Sequence, residues 1–419
     1  MAEQQIGSGI RYTEIIDPKY RSCLLLMQFY TARTAETAPA LALLTDLLTA
    51  SSAEHPGISA LSLRLDSLYA ADLSAKLTLC GDGAMLSFTA SWLDDRFALE
   101  HEDLTGEMLR LVIGCLLHPH AENGAFCEPE FRICRQNLLD DIDCERNDKR
   151  IYAMQRAASL TFAGEPAALP PYGSRAAAEA LTPALVYRVW QQLLRDAPLD
   201  IVCILPSARP VREALTAAFS GLHRSPAAVP LFALSPKKPA AIREEEHMAL
   251  NQSKLVIVYK FRDIPRDVIH MLNSLLGGIN QSLLFLNVRE KRSLCYYCLS
   301  SVSVLKGTLT IDCGVQTADL QEAEEAIREQ ITLLRRGDFP ASMMQKAVLD
   351  YRRRAAITEN SNAAAAARIA DSHLFGDDRS PEEIAAALEQ ITAAQIQAAA
   401  EQLTPDTVYI LRAEEAIPS

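Results

Sequence analysis

Apolar positions recur along this chain with two periods. In residues 75–92, "AKLTLCGDGAMLSFTASW", they alternate on both sides of Gly81-Asp82-Gly83, a pattern that predicts two strands joined as a hairpin. "KLVIVYKF" (254–261) reads as one strand, and "CYYCLSSVSVLKGTLTIDCGVQ" (295–316) as two strands turning at Lys306-Gly307. The period then changes. "LQEAEEAIREQITLLRRG" (320–337) sets Ile327, Ile331 and Leu334 on one stripe and ends at a glycine, which predicts an amphipathic helix. The alanine-rich run at 363–367 is helical by propensity.

These elements occur twice. "LTPALVYRVWQQLLRDAPLDIVCIL" (181–205) and "ITAAQIQAAAEQLTPDTVYIL" (391–411) are each a Thr-capped helix followed by an apolar strand. Leu181 aligns with Ile391, Thr182 with Thr392 and Leu193 with Leu403 at one constant offset. Upstream, "TFAGEP" around Phe162 matches "HLFGDD" around Phe375, and "AFCEPEF" around Phe126 matches "DFPASMM" around Phe339. A repeat this long is a duplicated domain rather than a solenoid, whose units run to about 20–50 residues. Residues 223–247 carry Pro226, Pro230, Pro236 and Pro239 without apolar periodicity, and read as an extended linker. The expected organisation is a domain over 1–222, a linker over 223–247 and a second domain over 248–419. The expected class is α+β: an antiparallel sheet covered by helices, built twice.

Composition narrows the partners. Of 419 residues, 49% are hydrophobic and 22% charged, ordinary for a soluble globular chain with a sizeable core. The net charge of −12 argues against nucleic acid, because phosphate contacts need clustered Lys and Arg. The N-terminus lacks a basic start followed by an apolar segment, and no apolar run approaches the about 20 residues of a membrane helix. A cytoplasmic location is therefore expected, with the ten cysteines as buried reduced thiols.

The familiar catalytic motifs are missing. No H-E-x-x-H, H-x-x-E-H or G-x-S-x-G occurs. His118 and His120 flank a proline and mark a loop rather than a metal site. Gly81-Asp82-Gly83 is a hairpin turn, and Gly277-Gly278 follows a helix-like run as its C-terminus. The Cys295-x-x-Cys298 pair has no second pair to complete a zinc ribbon. It lies in a predicted strand, where residues i and i+3 face opposite sides, so the two thiols are not expected to meet.

The segment "LLGGINQSLLFLNVREKRSLCYYCLSS" (275–301) remains to be placed. Its cluster Arg289-Glu290-Lys291-Arg292 is either a solvated helix end or a device for holding something. It resembles the second-domain signature of the pitrilysin, insulinase and mitochondrial processing peptidase family: a Gly-Gly helix end, a Ser-x-Leu-Phe helix, Arg-Glu-Lys, then a Leu-x-Tyr strand. The resemblance continues through "GTLTIDCGVQ" and "LLRRGDFPASMMQKAV" and, in the first half, through residues 40–88 and "LLHPHAENGAFCEPEF". It implies two similar α+β domains forming one half of a peptide chamber. It also implies zinc on an H-x-x-E-H helix with a distal Glu as third ligand, the motif Glu being the general base. Aligned back from Pro56, that motif falls on Ala42-Leu43-Leu44-Thr45-Asp46, so both His and the base are gone. The third-ligand region, 128–141, keeps acids, but one carboxylate alone does not hold zinc.

The resemblance further implies that Arg289 and Tyr296, seven residues apart, hold the substrate backbone beside the scissile bond. A guanidinium and a phenol both donate to a peptide carbonyl or its developing oxyanion. The bland alternative is that Arg289 ends a helix and Tyr296 packs. Within the family the pattern is most similar to the YmfF-type branch, whose chains stand beside a zinc-bearing sister. The expected role is thus a non-catalytic subunit of a heterodimeric zinc metallopeptidase, binding no zinc itself and paired with an H-x-x-E-H partner that does. The alternatives are a peptide- or protein-binding scaffold with no peptidase role, and an enzyme built on the cysteines.

Overall fold

Among the described residues, thirteen strands and the helices that cover them account for the two periods in the sequence. In the computed structural model, which describes residues 2–414, the first-half strands are β1 (Ala2–Gly7), β2 (Ile10–Ile16), β3 (Ser22–Ala32), β4 (Asp72–Cys80), β5 (Gly83–Leu93), β6 (Ala121–Glu122), β7 (Ala125–Phe126) and β8 (Leu199–Leu205). Those of the second half are β9 (Ile242–Ala249), β10 (Ser253–Lys260), β11 (Cys295–Ser303), β12 (Thr308–Val315) and β13 (Thr404–Glu414). Both predicted hairpins form. Cys80 faces Gly83 across Gly81-Asp82, and Ser303 faces Thr308.

The duplication is exact in connectivity at the sheet level. One sheet has the order β1-β2-β8-β3-β5-β4, the other β11-β12-β10-β13-β9. Read from β9, the second repeats β2-β8-β3-β5-β4 strand for strand. Each sheet holds one parallel pair, β2 with β8 and β9 with β13, and is otherwise antiparallel. The two Thr-capped helices are Pro183–Asp196 and Ala393–Gln402, with the Thr182 and Thr392 side chains accepting from the backbone of Leu185 and Gln395.

Both faces of the central strands are buried, which explains their continuous apolar runs. On β10, Leu255, Ile257 and Tyr259 face one core, while Val256 and Val258 face a second layer. On β3, Cys23, Leu25 and Met27 face the main core, and Leu24 and Leu26 the opposite side. That opposite side of the first sheet is covered by the helix Asn362–Phe375 through Ala366, Ile369 and Ala370. The corresponding side of the second sheet is covered by the helix Lys149–Thr161 through Ala153 and Ala157.

The compact units therefore do not divide where the sequence was expected to divide. The first comprises the chain up to Asp143, Leu169–Leu231 and Thr358–Asp378; the second comprises Cys144–Ala168, Phe232–Ile357 and the chain from Arg379 onward. The two helices that change sides are each other's counterparts in the repeat, ending at Phe162 and Phe375. Apolar periodicity shows that a helix has a face to bury but not which sheet receives it.

The linker is extended but anchored along its length. Residues 222–241 form no helix or strand, whereas 242–247, also read as linker, belong to β9. In the first unit, Ser225 and Ala227 donate to the carbonyls of Arg195 and Asp196, both at 2.9 Å. In the second, Ser235 donates to the Lys306 carbonyl at 3.2 Å, and Lys238 meets Asp406 at 2.7 Å.

Candidate functional site

Arg289 lies in the π-helical segment Leu284–Glu290, and Tyr296 lies at the start of β11, an edge strand. Buried Leu284 and Val288 seat the segment in the core that also holds Cys295 and Cys298 of β11. Single π turns recur at functional sites because they re-aim a side chain. A second one, Ser274–Gly278, precedes it, and there Gly277 is required by space. A Cβ at Gly277 would lie 2.6 Å from the Ser300 backbone nitrogen on β11. The connection between segment and strand is tight: Ser293 sits at φ 54°, a left-handed conformation that a non-glycine residue adopts at a cost.

Both side chains reach solvent. Tyr296 is 59% exposed, and its hydroxyl accepts from Gln316 Nε2 at 3.3 Å. The Arg289 guanidinium stacks 4.8 Å from the Phe285 ring centre and lies 3.6 Å from the Glu290 carboxylate. Neither is consumed by a buried ion pair, so each keeps donors for a ligand. Tyr297, the next residue, is structural by contrast. Its ring lies over Gly314 between Arg150 and Lys254, and its hydroxyl donates to Asp312 at 3.2 Å.

The expectation that Cys295 and Cys298 face apart is wrong, and the reason is local. Between Cys295, opposite Val315, and Tyr297, opposite Gly314, the ladder of β11 with β12 slips by one residue. This β-bulge at Tyr296 inserts an extra residue and inverts the parity of Cys295. Cys295 and Cys298 now share a face with Cys313, which stands directly opposite Cys298. All three are buried, and their sulfurs lie within 4.8 Å of one another. Hydrogen bonds from the Cys298 and Cys313 thiols, helped by the Arg289 charge, pull the Cys295 thiol down to about 4 against the opposing effect of burial. The same bulge throws Tyr296 outward. Counting outward from Lys306-Gly307 would set Cys298 opposite Val315; the loop is in fact four residues, 304–307, so neither the Cys298–Cys313 pairing nor the bulge was readable.

The other expected positions lie on the helix Ala38–Ala50 of the first unit. Ala42 is buried. Thr45 is buried too, and its hydroxyl donates to the Ala42 carbonyl at 2.6 Å. Burial, and then the neighbouring Asp141, push the Asp46 carboxyl above its ordinary range. In the third-ligand region, Glu130 is buried with one oxygen 3.1 Å from His120 Nδ1 and the other without a hydrogen-bond partner. A methyl, a hydroxyl turned onto its own helix and separated carboxyls do not make a tetrahedral site. Among the described residues, the grouping with metal-ligand geometry is the three cysteines, far along the chain from this helix.

A third constellation has the outline of a triad. Thr13 Oγ1 lies 3.5 Å from His373 Nε2, and His373 Nδ1 lies 2.8 Å from Asp200 Oδ2. Thr13 has no exposed surface, so no substrate carbonyl can reach it. The pair fastens the helix Asn362–Phe375 to the first sheet.

Two sheets of one repeated topology, each with helices on both faces, define the fold class, and it is similar to that of peptidase M16 inactive domains. Residues 211–349 match the model described as the peptidase M16 inactive domain. The chain is 24% identical over 403 residues to "Probable inactive metalloprotease YmfF" of Bacillus subtilis (strain 168), covering 95% of this chain and 94% of that one. Its fold is similar to a conserved protein from Enterococcus faecalis V583, with a TM-score of 0.90, 23% identity and coverage of 100% and 99% of the two chains. It is also similar to a peptidase M16 inactive domain from Pseudomonas fluorescens, with a TM-score of 0.79, 16% identity and coverage of 100% and 99%.

Proposed function

We propose that this chain is the non-catalytic subunit of a two-chain zinc metallopeptidase, gripping the peptide backbone with Arg289 and Tyr296 while a sister subunit carries H-x-x-E-H and the zinc. The observation that carries the reading is the bulge at Tyr296. It places a largely exposed phenol on an edge strand that follows directly from the segment bearing a solvent-reaching guanidinium. An edge strand offers unpaired backbone groups to an extended peptide, and the two side chains donate to its carbonyls. The chain's own residues would bind and orient the peptide and stabilise charge on the attacked carbonyl oxygen. Zinc in the partner would supply the activated water.

The compartment proposed is the cytoplasm. No helix among the described residues is long and apolar enough to cross a membrane, and all ten cysteines are free, as a reducing environment requires.

The test is purification of the native complex from its source cells, followed by Arg289→Ala in that complex. A co-purifying chain of similar size with H-x-x-E-H, and peptide turnover reduced by about 100-fold with the complex intact, is the expected result. Unchanged turnover removes the role of Arg289. A partner without H-x-x-E-H favours the second reading, a peptide-binding scaffold of the same fold, which the presence of Ala42, Thr45 and Asp46 in place of the motif's His, Glu and His supports equally well.

A further inference from the structure

The three buried thiols have no part in the peptide-gripping role. We infer that Cys295, Cys298 and Cys313 form a binding site for a soft thiophilic cation, monovalent copper foremost. Three features converge. The sulfurs come from two adjacent strands and lie within 4.8 Å of one another. A cation held at about 2.3 Å by three coplanar sulfurs separates them by about 4 Å, so closure needs sub-ångström movements. None of the three is in a disulfide, and they are 8%, 2% and 0% exposed, so the site is dry and protected.

The ligand set selects the metal. Three sulfurs without a carboxylate disfavour magnesium and calcium, which take oxygen ligands. Zinc is ordinarily four-coordinate, and among the described residues no fourth His, Cys, Asp or Glu joins the trio. Three-coordinate thiolate suits Cu(I). Charge also fits. Binding would release the thiol protons to solvent, because the thiolate is the form that ligates. Arg289 lies close enough to influence the Cys295 charge. A loaded site would therefore add negative charge within reach of Arg289.

Anaerobic titration of the reduced full chain with Cu(I), in competition with a chromophoric Cu(I) chelator, tests the site without any peptidase readout. The expected result is one Cu(I) per chain with near-ultraviolet thiolate-to-copper absorption, and X-ray absorption showing three sulfur neighbours. Cys298→Ala and Cys313→Ala should each weaken binding by about 100-fold or more, since loss of a direct ligand exceeds the loss of a supporting group. Cys144→Ser, at an exposed cysteine, should leave it unchanged. Copper should also raise the Tm of the parent chain and not that of the variants. No competition by the parent chain, fewer than three sulfur neighbours, or full binding by both alanine variants overturns the inference. The parent-chain spectra decide the matter even where an alanine variant does not fold.

Discussion

Removing Asp406 tests how the second unit is held together. Lys260 and Asp406 are each 2% exposed and their charged atoms lie 3.0 Å apart, deep beside β10 and β13. Lys260 also donates to the carbonyls of Thr161 at 3.2 Å and Pro236 at 2.6 Å. The ammonium thus ties the end of the helix Lys149–Thr161 and the linker to the sheet. In Asp406→Ala the ammonium remains buried with two carbonyls and no counter-charge. Breaking a buried pair from one side costs about 3–5 kcal/mol. The two carbonyls place the expected loss near the lower end, while Lys238, less deeply buried, can turn toward water. Both tryptophans, Trp92 and Trp190, belong to the first unit, so their fluorescence does not report this change. Hydrogen exchange followed by mass spectrometry does. A loss of about 3 kcal/mol speeds globally opening amides of the second unit by about 100-fold. Peptides spanning 149–161 and 254–260 should show it. As a control, Asp196→Ala breaks the exposed Arg195–Asp196 pair and should cost no more than about 1 kcal/mol. Less than a tenfold change for Asp406→Ala in those peptides would refute the assignment of Lys260 as the tie.

Asp46→Asn should stabilise the first unit at neutral pH. The folded carboxyl is raised by burial and by Asp141, so its favourable contribution exists at acid pH and is lost as pH rises through the raised value. Tryptophan-monitored unfolding should show the variant ahead at pH 7 and level with the parent chain below about pH 4; an advantage that grows on acidification contradicts the sign. Gly277→Ala drives a methyl against the Ser300 backbone of β11 and should cost about 1–3 kcal/mol, read as a lower urea midpoint of the second unit, and an unshifted midpoint means the helix has room to retreat. Arg289→Ala, half-exposed and bound to no buried partner, should leave that midpoint within about 0.5 kcal/mol, whereas a large loss would mark Arg289 as a structural helix end.

Several features were fixed by sequence alone because they depend on local chemistry. Period-two runs around Gly81-Asp82 and Lys306-Gly307 became hairpins, Thr182 and Thr392 became helix caps, and Ala42 and Thr45 cannot ligate zinc in any fold. The duplication and the α+β class followed from the repetition of those local signals. What tertiary structure decided were matters of pairing. Ala153 and Ala157 read as one face of a helix, but only packing assigned that face to Val256 and Val258, and assigned Ala366 and Ala370 to Leu24 and Leu26. Residues 242–247 looked like linker because the unbroken charged run Arg243 to Glu246 hides a strand that pairs with β13 alone. The parity of Cys295 was set by a bulge whose cost and gain lie in the β12 ladder, the π-helical segment and the tight turn at Ser293. Side-chain alternation along a strand is a local rule, and a single residue inserted by non-local pairing inverts it; that inversion brings three thiols together and turns Tyr296 to the solvent.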